Sequence, residues 1–180
     1  MLKRRVLAIE LLLGLTLSGA SVQAQVIRSA AAPVTELPNT VADDLRARAE
    51  ALYPNQSRLR EAAQLHEKEA TVRSATDPEA VVALEQAARL YAYTGNPARG
   101  RVLMQRAAER ALRSGEVLRA AHAYIDAAFL ALREKDVERA YTYTTQADLL
   151  AHSPHLLAAD RAGIVRRIDP ARAQIGMLER

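Results

Sequence analysis

The chain reads as an all-α protein, and three features of the sequence carry that reading. Ala and Leu supply most of an apolar share of 49%, while aromatics make up only 4%, with no Trp and a single Phe, Phe129. Small aliphatic residues suit closely packed helices, whereas strands favour β-branched and aromatic side chains. Helix stop and start signals recur at short intervals from residue 39 onward, and between them apolar residues fall three or four apart. About seven helices are expected after the N-terminal segment, joined by short turns that make chain neighbours pack as antiparallel hairpins.

The N-terminus reads as an export signal. Met1-Leu2-Lys3-Arg4-Arg5 is a basic start, and an apolar run from Val6 to Leu17 follows, broken only by Glu10. Val22-Gln23-Ala24 then fits signal peptidase, so cleavage is expected after Ala24. With Glu10 inside it, the apolar run is a poor permanent membrane span. The expected organisation is a signal peptide over 1–24, a flexible linker over 25–38 and a helical domain over 39–180, with a periplasmic destination. Removing 1–24 lowers the formal net charge from +4 to +2, because Lys3, Arg4, Arg5 and Glu10 leave with it. A chain so near balance, with Arg alternating with Asp and Glu, lacks the clustered basic face that nucleic acid requires. Cysteine is absent, which excludes disulfides, thiolate metal sites and a cysteine nucleophile.

The helices follow in order. Asn39 or Thr40 is expected to cap a first helix to about Tyr53, with Asp43 and Asp44 in its first turn. Ser57 is expected to cap a second helix to about Arg73. Thr76-Asp77-Pro78-Glu79 opens a third, with Thr at the cap and Pro in the first turn, running to Thr94. Gly95-Asn96-Pro97 ends it and starts a fourth, to Arg113. Ser114-Gly115 breaks the fourth, and a fifth runs from Glu116 to about Glu134. Asp136 caps a sixth, to about His152, although Tyr141-Thr142-Tyr143-Thr144-Thr145 has strand-like propensity. Ser153-Pro154 restarts a seventh ending near Ile168, and Asp169-Pro170 opens a short C-terminal helix.

The third and fourth helices align with the fifth and sixth at a shift of 40 residues. Ala83 falls on Ala123, Ala87 and Ala88 on Ala127 and Ala128, Leu90 on Leu130, Arg99 on Arg139, Ala107 on Ala147 and Ala111 on Ala151. This tandem helix pair resembles the tetratricopeptide repeat. Leu84, Ala87, Ala88, Tyr91 and Gly95 stand in the order of that family's first helix. Gly100, Met104 and Ala107 take the places of its second, as do Ala140, Thr144 and Ala147 in the next copy. The departures are a period of 40 rather than about 34 residues, a missing aromatic in both second helices, and Ala131 and Lys135 where Tyr and Gly belong. Residues 78–154 thus resemble a degenerate repeat pair, and the resemblance implies a right-handed stacked array; an irregular helical bundle is the alternative.

Little in the sequence suggests reaction chemistry. His152 and His155 have Pro154 between them and no acidic partner at ligand spacing, so no metal site is expected. His66, among Glu61, Glu67, Lys68 and Glu69, reads as a solvated face. Arg99, Arg106, Arg110 and Arg113 read the same way. No Ser lies in a Gly-flanked elbow, and no Gly-rich phosphate loop is present. Neither a catalytic residue nor a cofactor is expected, and the protein is read as not an enzyme. The fifth helix is apolar almost all round and is expected to be central. Its polar residues Arg119, His122, Asp126 and Arg133 form one narrow stripe. The repeat alignment matches it to Gln86, Arg89 and Tyr93 on the third helix, and the resemblance implies that such first helices line a binding groove. Arg and Tyr suit the gripping of an extended peptide. The expected function is an exported adaptor that binds a protein or peptide partner. The alternatives are a structural helical subunit of an envelope complex and a helical ligand-binding protein with an apolar pocket.

Overall fold

The computed structural model describes residues 39–180. The expected signal peptide and linker therefore lie outside the described residues. Seven α-helices occur among the described residues, with no strand: α1 (Thr40–Glu50), α2 (Leu59–Val72), α3 (Pro78–Tyr93), α4 (Pro97–Arg113), α5 (Val117–Arg133), α6 (Val137–Ala151) and α7 (Ala158–Leu178). No helix among them is long and apolar enough to cross a membrane. Each helix packs on the next in the chain, and α7 also packs on α5. No substantial packing joins α1 or α2 to α6 or α7. As the sequence predicts, α5 is central, touching α4, α6 and α7 with a nearly unbroken apolar surface.

The middle of the fold runs on a 20-residue frame. The backbone turns through positive φ at Gly95 (84°), Gly115 (79°) and Lys135 (58°). At each turn the next residue's N–H donates to a carbonyl five residues back, Asn96 to Tyr91, Glu116 to Ala111 and Asp136 to Ala131. This bond closes the last helical turn while the left-handed residue reverses the chain. Asn96 and Asp136 then cap the following helices by accepting from the Arg99 and Arg139 N–H groups, both at 3.1 Å. Because every helix starts at the same point in the frame, its core face repeats too. Small buried residues recur at Ala80, Gly100, Ala120 and Ala140, and again at Ala87, Ala107, Ala127 and Ala147. The side chain at these places is a methyl group or less, so neighbouring helices come close along their length.

Gly100 marks a close approach of two helices. A methyl added there would sit 2.7 Å from the carbonyl oxygen of Ala88 on α3. Larger residues fill the spaces between the alanine contacts: Leu84, Leu103, Met104 and Ile125 are fully buried. Tyr143 of α6 stacks on Tyr124 of α5 with ring centres 6.2 Å apart. Its hydroxyl donates to Gln105 of α4 at 2.8 Å, so one phenol serves three helices. Burial of the 141–145 segment's inner face is what makes it helical against its strand propensity.

Several expectations need correction. The cap of α3 is Asp77, not Thr76; its carboxylate accepts from the Glu79 N–H at 2.9 Å. Asn55, not Ser57, opens the second segment, capping a single 3-10 turn (Gln56–Arg58) that leads into α2. The last two expected helices are one, α7, which passes through Pro170. Ile164, Ile168, Ala171 and Ile175 form a single buried stripe spanning the proline, and that shared burial outweighs the backbone hydrogen bond that Pro170 removes. The arginine row on α4 is not wholly a solvated face either. The Arg110 guanidinium reaches back to the carbonyl oxygens of Ala70 and Arg73 at 3.0 Å, satisfying acceptors at the C-terminal end of α2.

The largest correction concerns His66, which is 2% exposed. Leu59, Ala62, His66, Glu69 and Arg73 form one buried stripe of α2. Glu69, fully enclosed, accepts from His66 Nδ1 (3.0 Å), Arg73 Nε (2.9 Å) and Arg46 Nε of α1 (2.8 Å). Burial alone would raise the Glu69 carboxyl; these three donors outweigh it and hold the group below the usual carboxylate range. Tyr53 Oη lies 2.6 Å from His66 Nε2, and Arg73 also binds Asp43 of α1 at 2.8 Å. A polar cluster therefore ties α1 to α2, where the alanine frame has not yet begun.

Replacing Gly100 with Ala tests the close approach. Helix propensity alone favours Ala, by about 1 kcal/mol. The clash with backbone should instead destabilise the protein by about 1–3 kcal/mol, read as a lower urea midpoint. A midpoint at or above that of the natural chain would mean that α3 and α4 are not locked at this distance.

Candidate functional site

α3, α5 and α7 are linked along one side by polar side chains, and every residue expected at the site lies on this side. Arg119 of α5 reaches Glu85 of α3 in a forked pair, Nε to Oε1 at 2.9 Å and Nη2 to Oε2 at 3.2 Å. At the other end of α5, Arg133 Nη2 donates to the Ala92 carbonyl oxygen of α3 at 3.3 Å. Between them His122 and Asp126 face α7. Arg167 Nη1 lies 2.7 Å from His122 Nδ1, and Arg167 Nη2 lies 2.6 Å from Asp126 Oδ1. The 20-residue frame places α3 and α5 parallel, because each is followed by one reversal into α4 or α6.

The stripe read from sequence therefore divides in two. Arg119, His122 and Asp126 are committed to contacts between helices. Arg89, Tyr93 and Arg133 are exposed, Tyr93 to 68%. Arg89 has only a loose pair with Glu85 at 3.8 Å. Gln86, partly buried, lies on α3 beside them. The exposed part of the stripe thus holds one large aromatic, Tyr93, and two guanidinium groups, Arg89 on α3 and Arg133 at the C-terminal end of α5, the latter bonded to the Ala92 carbonyl oxygen.

The pKa of His122 is lowered from its ordinary value. Partial burial disfavours its charged form, and the Arg167 guanidinium adds to this; Asp126, Asp160 and Glu85 oppose both but do not prevail. Guanidinium only donates, so Nδ1 is the acceptor and the ring proton sits on Nε2. Arg119 is shifted the other way, its pKa raised mainly by the hydrogen bonds to Glu85.

Next to this contact lies an open depression of about 520 Å³, at the start of α5 and under the loop that leads into α7. Val117, Leu118 and Leu156 give it apolar walls, with Glu116, Arg119, His122, His155 and Asp160 at its polar margin. Among the described residues no group of three or more His, Asp or Glu side chains is placed to hold a metal ion.

Sequence reasoning missed Arg167, Glu85 and the Glu69 cluster. The spacing Leu59, Ala62, His66, Glu69, Arg73 was a usable signal, since it continues an apolar stripe into polar residues. Arg167 had none, because its partners are on a different helix. No family model matches the chain, and no curated protein matches it in sequence.

The division of the stripe is measurable. Arg119→Ala removes a half-buried forked pair and should cost about 1 kcal/mol of stability. Arg89→Ala should stay within about 0.5 kcal/mol of the natural chain. Equal costs from chemical denaturation would mean that the two arginines are held alike.

Proposed function

We propose that this chain is an exported, tetratricopeptide-like helical adaptor that holds a protein or peptide segment on the α3–α5 side. The observation that carries the reading is the cluster Arg89, Tyr93 and Arg133. All three are exposed: Tyr93 to 68%, Arg89 with only a loose pair to Glu85 at 3.8 Å, and Arg133 with a hydrogen bond to the Ala92 carbonyl oxygen. An exposed Tyr and exposed guanidinium groups on α3 and α5 offer flat apolar area with charge-assisted donors, the composition typical of residues that dominate binding energy. The helices beneath are packed at alanine distance, so this surface is preorganised and little ordering free energy is lost on binding.

The preferred partner is a segment with an extended backbone and acidic side chains, since guanidinium groups pair in a forked manner with carboxylates. Export follows from the basic start, the apolar run and the Ala24 cleavage site. A ligand-binding role, using the depression at the start of α5, is the second reading, favoured by its apolar walls and polar rim.

Two experiments test the proposal. A photo-crosslinker at Tyr93 should trap a discrete partner in the envelope, while one at Tyr141, exposed on α6, should not. The double variant Arg89→Ala, Arg133→Ala should weaken that capture at least about tenfold with helicity unchanged; undiminished capture would overturn the docking face. For export, the chain recovered from the periplasm should begin at Gln25 by intact mass. A chain that keeps Met1, or stays in the cytoplasm, would overturn this part.

A further inference from the structure

We propose that His122, Arg167 and Asp126 form an acid-released clasp that holds the first half of α7 against α5, with Pro170 as its hinge. The idea rests on donor and acceptor chemistry at α5 and α7, and it stands whether or not the neighbouring surface docks a partner.

The clasp has a built-in polarity. Arg167 donates at 2.7 Å to His122 Nδ1, a contact available only while that nitrogen keeps its lone pair. Adding a proton turns the acceptor into a donor and sets two cations against each other. Arg167 is then left with Asp126 alone, at 2.6 Å. The charged groups around the ring are Asp126 on its own helix, Arg167 and Asp160 on α7 and Glu85 on α3, with Arg119, Glu116 and His155 along the shared depression. Asp126 and Glu85 are themselves paired with Arg167 and Arg119, which limits what they can do to stabilise an imidazolium.

Two features confine the release to one half of the helix. Pro170 has no N–H, so it leaves the carbonyl of Arg166 without its usual helical donor and weakens α7 at that point. Beyond the proline, Arg172 pairs with Asp148 of α6 at 2.8 Å, and Ala171 and Ile175 remain buried. Before it, Ile164 and Ile168 provide the apolar hold, and Arg167 is the one link from that half of α7 to α5 among the recorded side-chain hydrogen bonds of the described residues. Acid release therefore loosens the 158–168 segment and widens the depression next to it, while the rest of α7 stays seated.

The sign follows from linkage. The folded state lowers the pKa of His122, so the clasp's stabilisation is full above the ordinary imidazole value of 6.5 and is lost as pH falls through the lowered one. Hydrogen–deuterium exchange of the whole chain at about pH 7.5 and about pH 5.5, normalised to intrinsic exchange rates, reads this directly. Exchange in 158–168 should rise severalfold at the lower pH, with 171–178 and α5 unchanged. His122→Gln keeps an acceptor but cannot charge, so its 158–168 segment should not respond to pH. Arg167→Ala should exchange fast at both values. Ring resonances of His122 should also report a proton on Nε2 at neutral pH, a readout independent of any variant. An unresponsive natural chain, a His122→Gln variant that responds like it, or a proton on Nδ1 would each overturn the clasp.

Discussion

Close packing of helices through alanine is the constraint on which the rest of this protein depends. Between α3 and α6 the chain reverses every 20 residues, and each reversal restarts the helix at the same phase. The same few positions therefore face inward each time, and those positions hold Ala or Gly. With so little side chain between them the backbones approach closely, as at Gly100 against Ala88. Dispersion between backbones and methyl groups, accumulated over many contacts, replaces the bulky aromatic core that other folds of this size use. The geometry tolerates little variation, because a single added methyl meets a carbonyl oxygen.

Outside that frame, polar chemistry takes over. At the N-terminal end α1 is short, and a small apolar cluster joins it to α2: Ala49 and Leu52 with Ala62 and Leu65, with Leu45 and Leu90 packed against them. Glu69 and its ring of donors make the second connection. A buried charge is costly unless paired, and here Glu69 is met by His66, Arg73 and Arg46, while Arg73 also reaches Asp43 and Asp77. At the C-terminal end α7 combines both means, an isoleucine stripe and the Arg167 and Arg172 bridges. Small-residue packing thus dominates the centre of the fold, and polar bridges supplement it at the two ends.

This distribution bears on function. In the proposed adaptor, the closely packed α3 and α5 would present Arg89, Tyr93 and Arg133 to a docked segment without reshaping of the protein. The end helix α7, by contrast, includes among its attachments the Arg167–His122 contact, whose bonding the proposed clasp makes dependent on protonation. The depression at the start of α5 lies where these two regimes meet. A change in α7 would alter its walls without disturbing the alanine contacts of α3 to α6.

The sequence by itself determined the helices, most of their ends and which helix is central. These are local matters: a Gly or Asn at a turn, a Pro at a first position and apolar spacing along one stretch act within a few residues. The 40-residue duplication was legible too, although its underlying 20-residue unit emerged only when Lys135 was seen in the same left-handed conformation as Gly95 and Gly115. Tertiary structure alone decided which polar residues are buried and which are free. His66 looked solvated because its chain neighbours are charged, yet Arg46 and Tyr53 of a different segment enclose it and Glu69. The α5 stripe looked uniform, yet Arg167 and Glu85 occupy part of it from other helices. A charged side chain is settled by whichever partner comes within hydrogen-bond distance in space, and such partners lie tens of residues away along the chain.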